Sequence, residues 1–265
     1  MQTPHHQHPP HRRQRGAALF VVIVFVMLSM LLALWASRTA LFSEMIVGND
    51  ADYQRAFEAA QALLQDAELD IRGEMADGSA CIGPPCRAYQ PNSLQFPADA
   101  KEVPPLLTQL EAEATRCKHA LCVRRVGRQD FWNYKTATTE IPSAANTTLG
   151  EVPLSALTRI DDETGLPLHA ARYGQYTGAA NTTANGPINP ILTATNPERG
   201  WYWIEIMRYS DTANNSTLIT DAATNQLPLN LDLQVIYRIT AVALGRKAET
   251  MVVLQQTYAR QRMKD

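Results

Sequence analysis

From Ala17 to Ala36 the chain holds 20 residues without a single charge, nearly all of them apolar. In a helix such a run rises about 30 Å, the thickness of a bilayer's hydrocarbon core. A backbone at that depth finds no water, so it must satisfy its own hydrogen bonds as a helix. The run therefore predicts a membrane-spanning helix. Arg12, Arg13 and Arg15 precede it and only Arg38 follows closely. That asymmetry puts the N-terminus in the cytoplasm and the rest of the chain outside, with Trp35 at the outer interface. A secretory signal peptide is the weaker reading. Its apolar region is about 7–15 residues and ends in a small-x-small cleavage site; here a longer run leads into Ser37-Arg38-Thr39-Ala40-Leu41-Phe42.

Beyond the span the pattern turns amphipathic. Phe42, Met45, Ile46, Asn49, Tyr53, Ala56, Phe57, Ala60, Leu63, Leu64, Ala67 and Ile71 recur at spacings of three and four, which is one helical face. Glu44, Asp52, Arg55, Glu58, Gln65, Asp66 and Glu68 are expected on the others. No proline falls between Ala17 and Arg72, and Gly73 with Asp77-Gly78-Ser79 supplies the stop. One helix of about 55 residues, roughly 80 Å long, is predicted. Its second half needs a folded domain to cover it. Gly48 costs about 1 kcal/mol there and reads as a tolerated kink or a close packing point.

The residues flanking the span carry a resemblance. Arg13-Gln14-Arg15-Gly16 followed by Ala17-Ala18-Leu19-Phe20-Val21 resembles a type IV prepilin leader. The resemblance implies cleavage after Gly16 and methylation of the new N-terminus, Ala17. Most pilins carry glutamate at the fifth mature position, where this chain has Val21. A charge in lipid normally signals a partner. Its absence is shared by a minor-pilin subclass and by the tip pseudopilin of type II secretion, both thought to sit at a filament's end.

Glu44-Met45-Ile46-Val47-Gly48-Asn49, then Ala56-Phe57-Glu58-Ala59-Ala60-Gln61, is similar to the PilX family of type IV pilus minor pilins. Gln61 stands where that family usually has glutamate. Tyr-Arg-Ile-Thr at 237–240 and Leu-Gln-Gln-Thr-Tyr-Ala at 254–259 resemble its C-terminal ending. The resemblance implies a non-enzymatic minor pilin that primes pilus assembly and can enter the fibre near its tip. The implied partners are other minor pilins and the major pilin, the prepilin peptidase, the inner-membrane assembly platform and a tip adhesin of the PilY family. A tip pseudopilin of type II secretion is the runner-up. A signal-anchored periplasmic binding protein or enzyme is the alternative of another class.

Formal net charge is -2, too weak and too evenly spread for a nucleic-acid binder. Removing residues 1–16 takes away three arginines and leaves 21 basic against 26 acidic residues, a net of -5. Cys81, Cys86, Cys117 and Cys122 form two C-x4-C pairs. Zinc sites favour tighter C-x2-C knuckles, and an exported chain favours disulfides. Three connectivities are open. Two local loops are the simplest, each worth about 2–3 kcal/mol.

From about Phe131 to Pro197 the chain is rich in Asn, Thr, Ala, Gly and Pro, and reads as an exposed, loop-rich surface. The Asn-x-Thr triplets at Asn146 and Asn181 match a glycosylation acceptor pattern that arises easily by chance in such sequence. After Gly200 the period becomes two. Residues 201–209, 232–243 and 249–259 read as strands, the last two joined by a hairpin-length link containing Gly245. An antiparallel sheet must bury one face, and the amphipathic helix is available to cover it.

No G-x-S-x-G, G-x-G-x-x-G or P-loop pattern is present. His5, His6, His8 and His11 lie in the leader, and His119 and His169 read as surface or loop residues. Asp50-Ala51-Asp52 lacks the glycine a calcium loop requires, and Asp161-Asp162-Glu163 reads as a solvated acidic turn. No catalytic, metal or cofactor site is therefore expected. The expected layout is a leader over 1–16, a span over 17–40, its amphipathic continuation over 41–72, a disulfide-containing loop-rich region over 73–200 and strands over 201–265. The expected class is α+β and pilin-like, with a long N-terminal helix packed on a C-terminal antiparallel sheet.

Overall fold

The computed structural model describes residues 15–90, 93–125, 129–133, 151–161, 167–179, 189–193, 199–209, 231, 233–247 and 249–261. The chain divides into two compact units, Met1–Ala51 and Asp52–Asp265. Helix α1, Arg15–Arg72, contributes to both and runs through Gly48 without a break. It ends where the periodicity ends. Gly73 adopts φ 69°, a left-handed conformation that glycine takes without steric cost.

In the first unit the apolar side chains from Leu19 to Val47 are exposed. Two of the four hydroxyls of this stretch turn back on their own helix. Ser29 Oγ donates to the Phe25 carbonyl at 2.7 Å and Thr39 Oγ1 to the Trp35 carbonyl at 3.0 Å. Such back-bonding satisfies these two hydroxyl protons within the helix, which suits a helix without water around it.

The second unit is built on a sheet. Its strands are β1 (Cys117–Lys118), β2 (Leu121–Val123), β3 (Gly200–Arg208), β4 (Val235–Leu244) and β5 (Met251–Tyr258), ordered β1-β2-β3-β4-β5. Strands β3, β4 and β5 pair antiparallel, as the alternation predicts. The short β1–β2 hairpin adds to β3 in parallel, so the sheet as a whole is mixed. Helix α2 (Val103–Ala112) precedes the hairpin, and the single turn α3 (Leu154–Leu157) lies between it and β3.

Period two along β3 separates two cores. On one face Tyr202, Ile204 and Ile206 join Ile239, Ala241 and Ala243 of β4 beneath Ala56, Ala60, Leu63 and Ala67 of α1 and Leu106 and Leu110 of α2. Burying a leucine or isoleucine there stabilises by about 1.5–3 kcal/mol. The alanines on both sides let helix and sheet approach closely.

On the other face Trp201 and Trp203 meet Phe131, Trp132, Val152 and Leu157. Trp132 and Trp203 rings lie edge to face at 5.1 Å, and Phe131 and Trp203 at 5.9 Å, each contact worth about 0.5–1.5 kcal/mol beyond burial. The sheet therefore buries two faces instead of the expected one. Correspondingly, Phe131, Trp132, Val152, Leu157 and Tyr176 belong to cores, although their Asn/Thr-rich surroundings read as exposed surface. Asn146 and Asn181 lie outside the described residues.

Candidate functional site: an exposed assembly helix and the clamp that holds its second half

The motif of α1 divides at the boundary between the units. Ala17, Val21, Glu44, Met45 and Asn49 are exposed and Gly48 is half-buried. Ala56, Ala59 and Ala60 are fully buried and Phe57 is half-buried against the same core. Gly16 lies within the helical backbone. The first group therefore offers surface, and the second holds the helix in the head.

Three carboxylates also lie on the buried side of α1; for Asp52 and Asp66 this corrects the expected polar face. Asp52, Asp66 and Asp70 are 2%, 1% and 4% exposed. The spacing explains it. Asp52, Ala56, Ala59, Leu63, Asp66 and Asp70 follow one another by four, three, four, three and four, a single seam of the helix. Counting acids as solvent-facing hid a pattern that position alone reveals.

Each acid meets dedicated donors, as a buried charge must. Asp52 accepts the Arg246 and Lys247 backbone N–H groups at 2.8 and 3.0 Å, fixing the β4–β5 turn to the helix. Although burial works against the charge, these two amides hold the Asp52 carboxyl below the usual range. Gly245 packs so tightly here that a Cβ would fall 2.3 Å from Asp52 Oδ2 and 2.5 Å from Thr250 Cβ. Asp66 accepts the Gly174 N–H at 2.8 Å and the Thr177 hydroxyl. Burial nevertheless raises it to about 7, against those two bonds and with the neighbouring Asp70 adding to the rise.

Asp70 faces Arg87, whose Nε donates at 2.8 Å and whose Nη2 completes a bidentate pair. The Tyr202 hydroxyl adds a third donor at 3.2 Å. Arg87 also donates through Nη1 to the carbonyls of Leu94 and His119, at 3.1 and 2.8 Å, and lies 3.7 Å from the centre of the Tyr176 ring. Burial disfavours its charge, but Asp70 outweighs that and holds the guanidinium protonated. The group ties α1, the Cys81–Cys86 loop and the β1–β2 turn to one another.

In the structure Cys81 bonds Cys86 and Cys117 bonds Cys122, giving the two local loops. The second bridge joins directly opposed residues of β1 and β2. The turn it closes holds His119 and Ala120 at φ 51° and 66°, the left-handed pair of a two-residue hairpin that asparagine and glycine usually supply.

His119 compensates by bonding three ways. Its N–H donates to the Leu168 carbonyl, its carbonyl accepts from Arg87, and its Nδ1 accepts the Leu94 N–H. Burial and then the nearby Arg87 charge lower it to about 4, so the ring is neutral. His169 Nδ1 sits 2.7 Å from the Cys117 carbonyl, and burial lowers its pKa as well. Both histidines are half-buried residues of a turn and a bend, each hydrogen-bonded into the head. Among the described residues no cluster of three metal-ligating side chains occurs.

An exposed helical half that opens with 20 uncharged, mostly apolar residues and continues into a helix packed on the sheet of an α+β head defines a type IV pilin-like subunit. The family model described as "Type IV pilus assembly protein PilX C-term" matches residues 110–260 and the one described as "PilX N-terminal" matches residues 15–65. The chain belongs to the PilX family of type IV pilus assembly proteins. No curated protein and no solved structure matches it. The C-terminal match includes the residues 110–200, where the sequence motifs carried no resemblance. The family is a structural minor-pilin component of the pilus that works with other pilus components, and the long apolar helix suits a membrane anchor.

Proposed function

We propose that this chain primes type IV pilus assembly and takes a position near the fibre tip. It is inserted once in the bacterial inner membrane, with residues 1–16 as a leader, 17–40 as the span, and the head beyond the membrane. Prepilin peptidase cuts between Gly16 and Ala17, and Ala17 becomes the methylated N-terminus. Residues 41–72 carry the helix into the head, and residues 73–200 and 201–265 form its disulfide-bonded and strand-bearing parts.

Val21 is the observation that carries the tip-proximal reading. An apolar, exposed residue stands where most pilins place the acid that pairs with a neighbour's terminal amine. A subunit without that acid lacks one of the two contacts that propagate a filament, which suits its end. Glu44, Met45, Gly48 and Asn49 then face neighbouring subunits, while Ala56, Phe57, Ala59 and Ala60 hold the helix in the head. The partners are the other minor pilins, the major pilin, the inner-membrane assembly platform and a PilY-family tip adhesin.

The test is processing. Intact mass of the wild-type protein purified from membranes should correspond to a methylated chain beginning at Ala17. Gly16→Ala should retain residues 1–16 and lose piliation. An unchanged mass and unchanged pili in Gly16→Ala would refute the prepilin reading. A deletion strain that keeps its pili and loses exoprotein secretion would refute the pilus assignment.

A further inference from the structure

The outer face of the sheet is covered unevenly. Phe131 and Trp132 lie over Trp203, but the next positions along the strands open into a cavity of about 390 Å³. It is lined by Arg124, Gln129, Met207, Arg238, Gln255 and Thr257, with the edge of Gln256 at its rim. That volume falls within the range of ligand pockets. Glu205 is fully buried in β3 directly opposite Arg238 of β4, which in turn faces Thr257 of β5. A row of polar residues therefore crosses three strands beside an aromatic core.

The charges in this row do not balance. Arg238 Nε and Nη2 both bond the Glu205 carboxylate at 2.7 Å, which leaves Nη1 uncommitted among the described residues. Arg125, also in the field of Glu205, is buried with its guanidinium 3.6 Å from the centre of the Phe131 ring. Its Nη2 donates to the Thr115 carbonyl, while Nε and Nη1 have no hydrogen-bond partner among the described residues. Arg124 forms no hydrogen bond or ion pair among the described residues. The Gln256 side chain turns to the helix side of the sheet, where its Nε2 donates to Glu68 of α1 at 2.5 Å. Arg124 and Arg238 line the cavity with no acid beside them among its lining residues, and the Glu205 carboxylate is already committed to Arg238, so the opening is positively charged.

The site also lies at the end of the sheet, because β5 is its last strand. The main-chain groups of a terminal strand suit the addition of an extended segment. Glutamine amides and a threonine hydroxyl beside it can donate to and accept from peptide groups.

We propose that this cavity receives an acidic side chain carried on an extended segment of another pilus subunit. The carboxylate pairs with Arg124 and the free Arg238 nitrogen, and the segment runs along β5. This rests on the reading of the chain as a subunit assembled among other pilus components. Charge complementarity selects the occupant, because an apolar or basic segment would leave the arginines buried and unpaired.

The test uses the full mature chain in detergent micelles and a blocked pentapeptide, acetyl-Thr-Glu-Thr-Glu-Thr-amide, titrated by calorimetry at low salt. Binding should weaken about tenfold in Arg124→Ala, the loss expected for one charge-assisted bond. It should also weaken in the Gln-for-Glu peptide and at raised salt. Gln129→Ala, a second lining variant, should weaken it less. Melting temperature checks that both variants are folded. Equal binding of the Glu and Gln peptides would overturn the proposal, as would no effect of Arg124→Ala. Binding of acetate as tight as that of the peptide would reduce the cavity to a small-anion site and likewise overturn docking. Failure here with normal processing at Gly16 rejects the pocket and leaves the pilin reading intact. Failure of processing rejects the pilin reading itself.

Discussion

Helix α1 sets two regions of one element side by side. From Ala17 to Val47 its apolar side chains are exposed, and Ser29 and Thr39 bond carbonyls of their own helix. From Asp52 to Arg72 the same secondary structure is held by the head, through alanines that allow close approach and three acids locked to fixed donors. The first region can change its surroundings without breaking internal contacts. The second cannot. The difference arises from side chains alone, since the backbone is helical throughout.

The largest test of this contrast is Arg87→Ala. It leaves Asp70 buried beside a single hydroxyl, and breaking a buried pair from one side costs about 3–5 kcal/mol. Urea denaturation of the mature chain in detergent, followed by near-ultraviolet circular dichroism of the tryptophan core, should register that loss. Ser29→Ala in the first region should change it by less than about 0.5 kcal/mol. Comparable losses from both would erase the distinction.

Gly245→Ala should come next. It forces a Cβ into Asp52 and Thr250 and should cost about 1–3 kcal/mol in the same assay. A neutral result would mean that the clamp at Asp52 yields easily.

The smallest effect is a pH dependence. The folded pKa of Asp66, about 7, lies above the ordinary 3.8, so the folded head holds this proton more tightly than the unfolded chain. Its stabilisation is complete below pH 3.8 and is lost as pH rises through about 7. His119 runs the other way. Lowered to about 4 from 6.5, its contribution is complete above pH 6.5 and is lost as pH falls through about 4. Asp66→Asn removes the first slope only. The melting temperature of the variant, relative to wild type, should therefore climb as pH rises from 4 to 7. A flat difference across that window would show that Asp66 does not titrate there.

The long N-terminal helix, its end at Gly73 and the three antiparallel strands were legible because each follows from periodicity or from one residue's backbone freedom. The acids of α1 were misplaced because charge was read as exposure, although Asp66 sits three residues after Leu63 on the same seam. Phe131 and Trp132 were missed for a related reason. Local composition describes a segment's average, whereas two aromatic rings can be core while their neighbours are not. Strands β1 and β2 have only two and three residues, too few for alternation to register. The pairings of the acids with Arg87, Gly174 and the turn at Arg246 depend on contacts between residues 17 to 195 positions apart.

One consequence lies in time. Helix α1 is complete at Arg72, but β3, whose face covers it, begins only at Gly200. At typical rates of synthesis the ribosome needs on the order of ten seconds to make the chain between them. Throughout that interval the inner surface of α1 lacks the β3–β4 face that completes its cover. Asp52, Asp66 and Asp70 are then hydrated charges on a face that would otherwise be a bare strip of alanine, leucine and isoleucine. The carboxylates that the finished head buries thus keep this face of the unfinished chain hydrated.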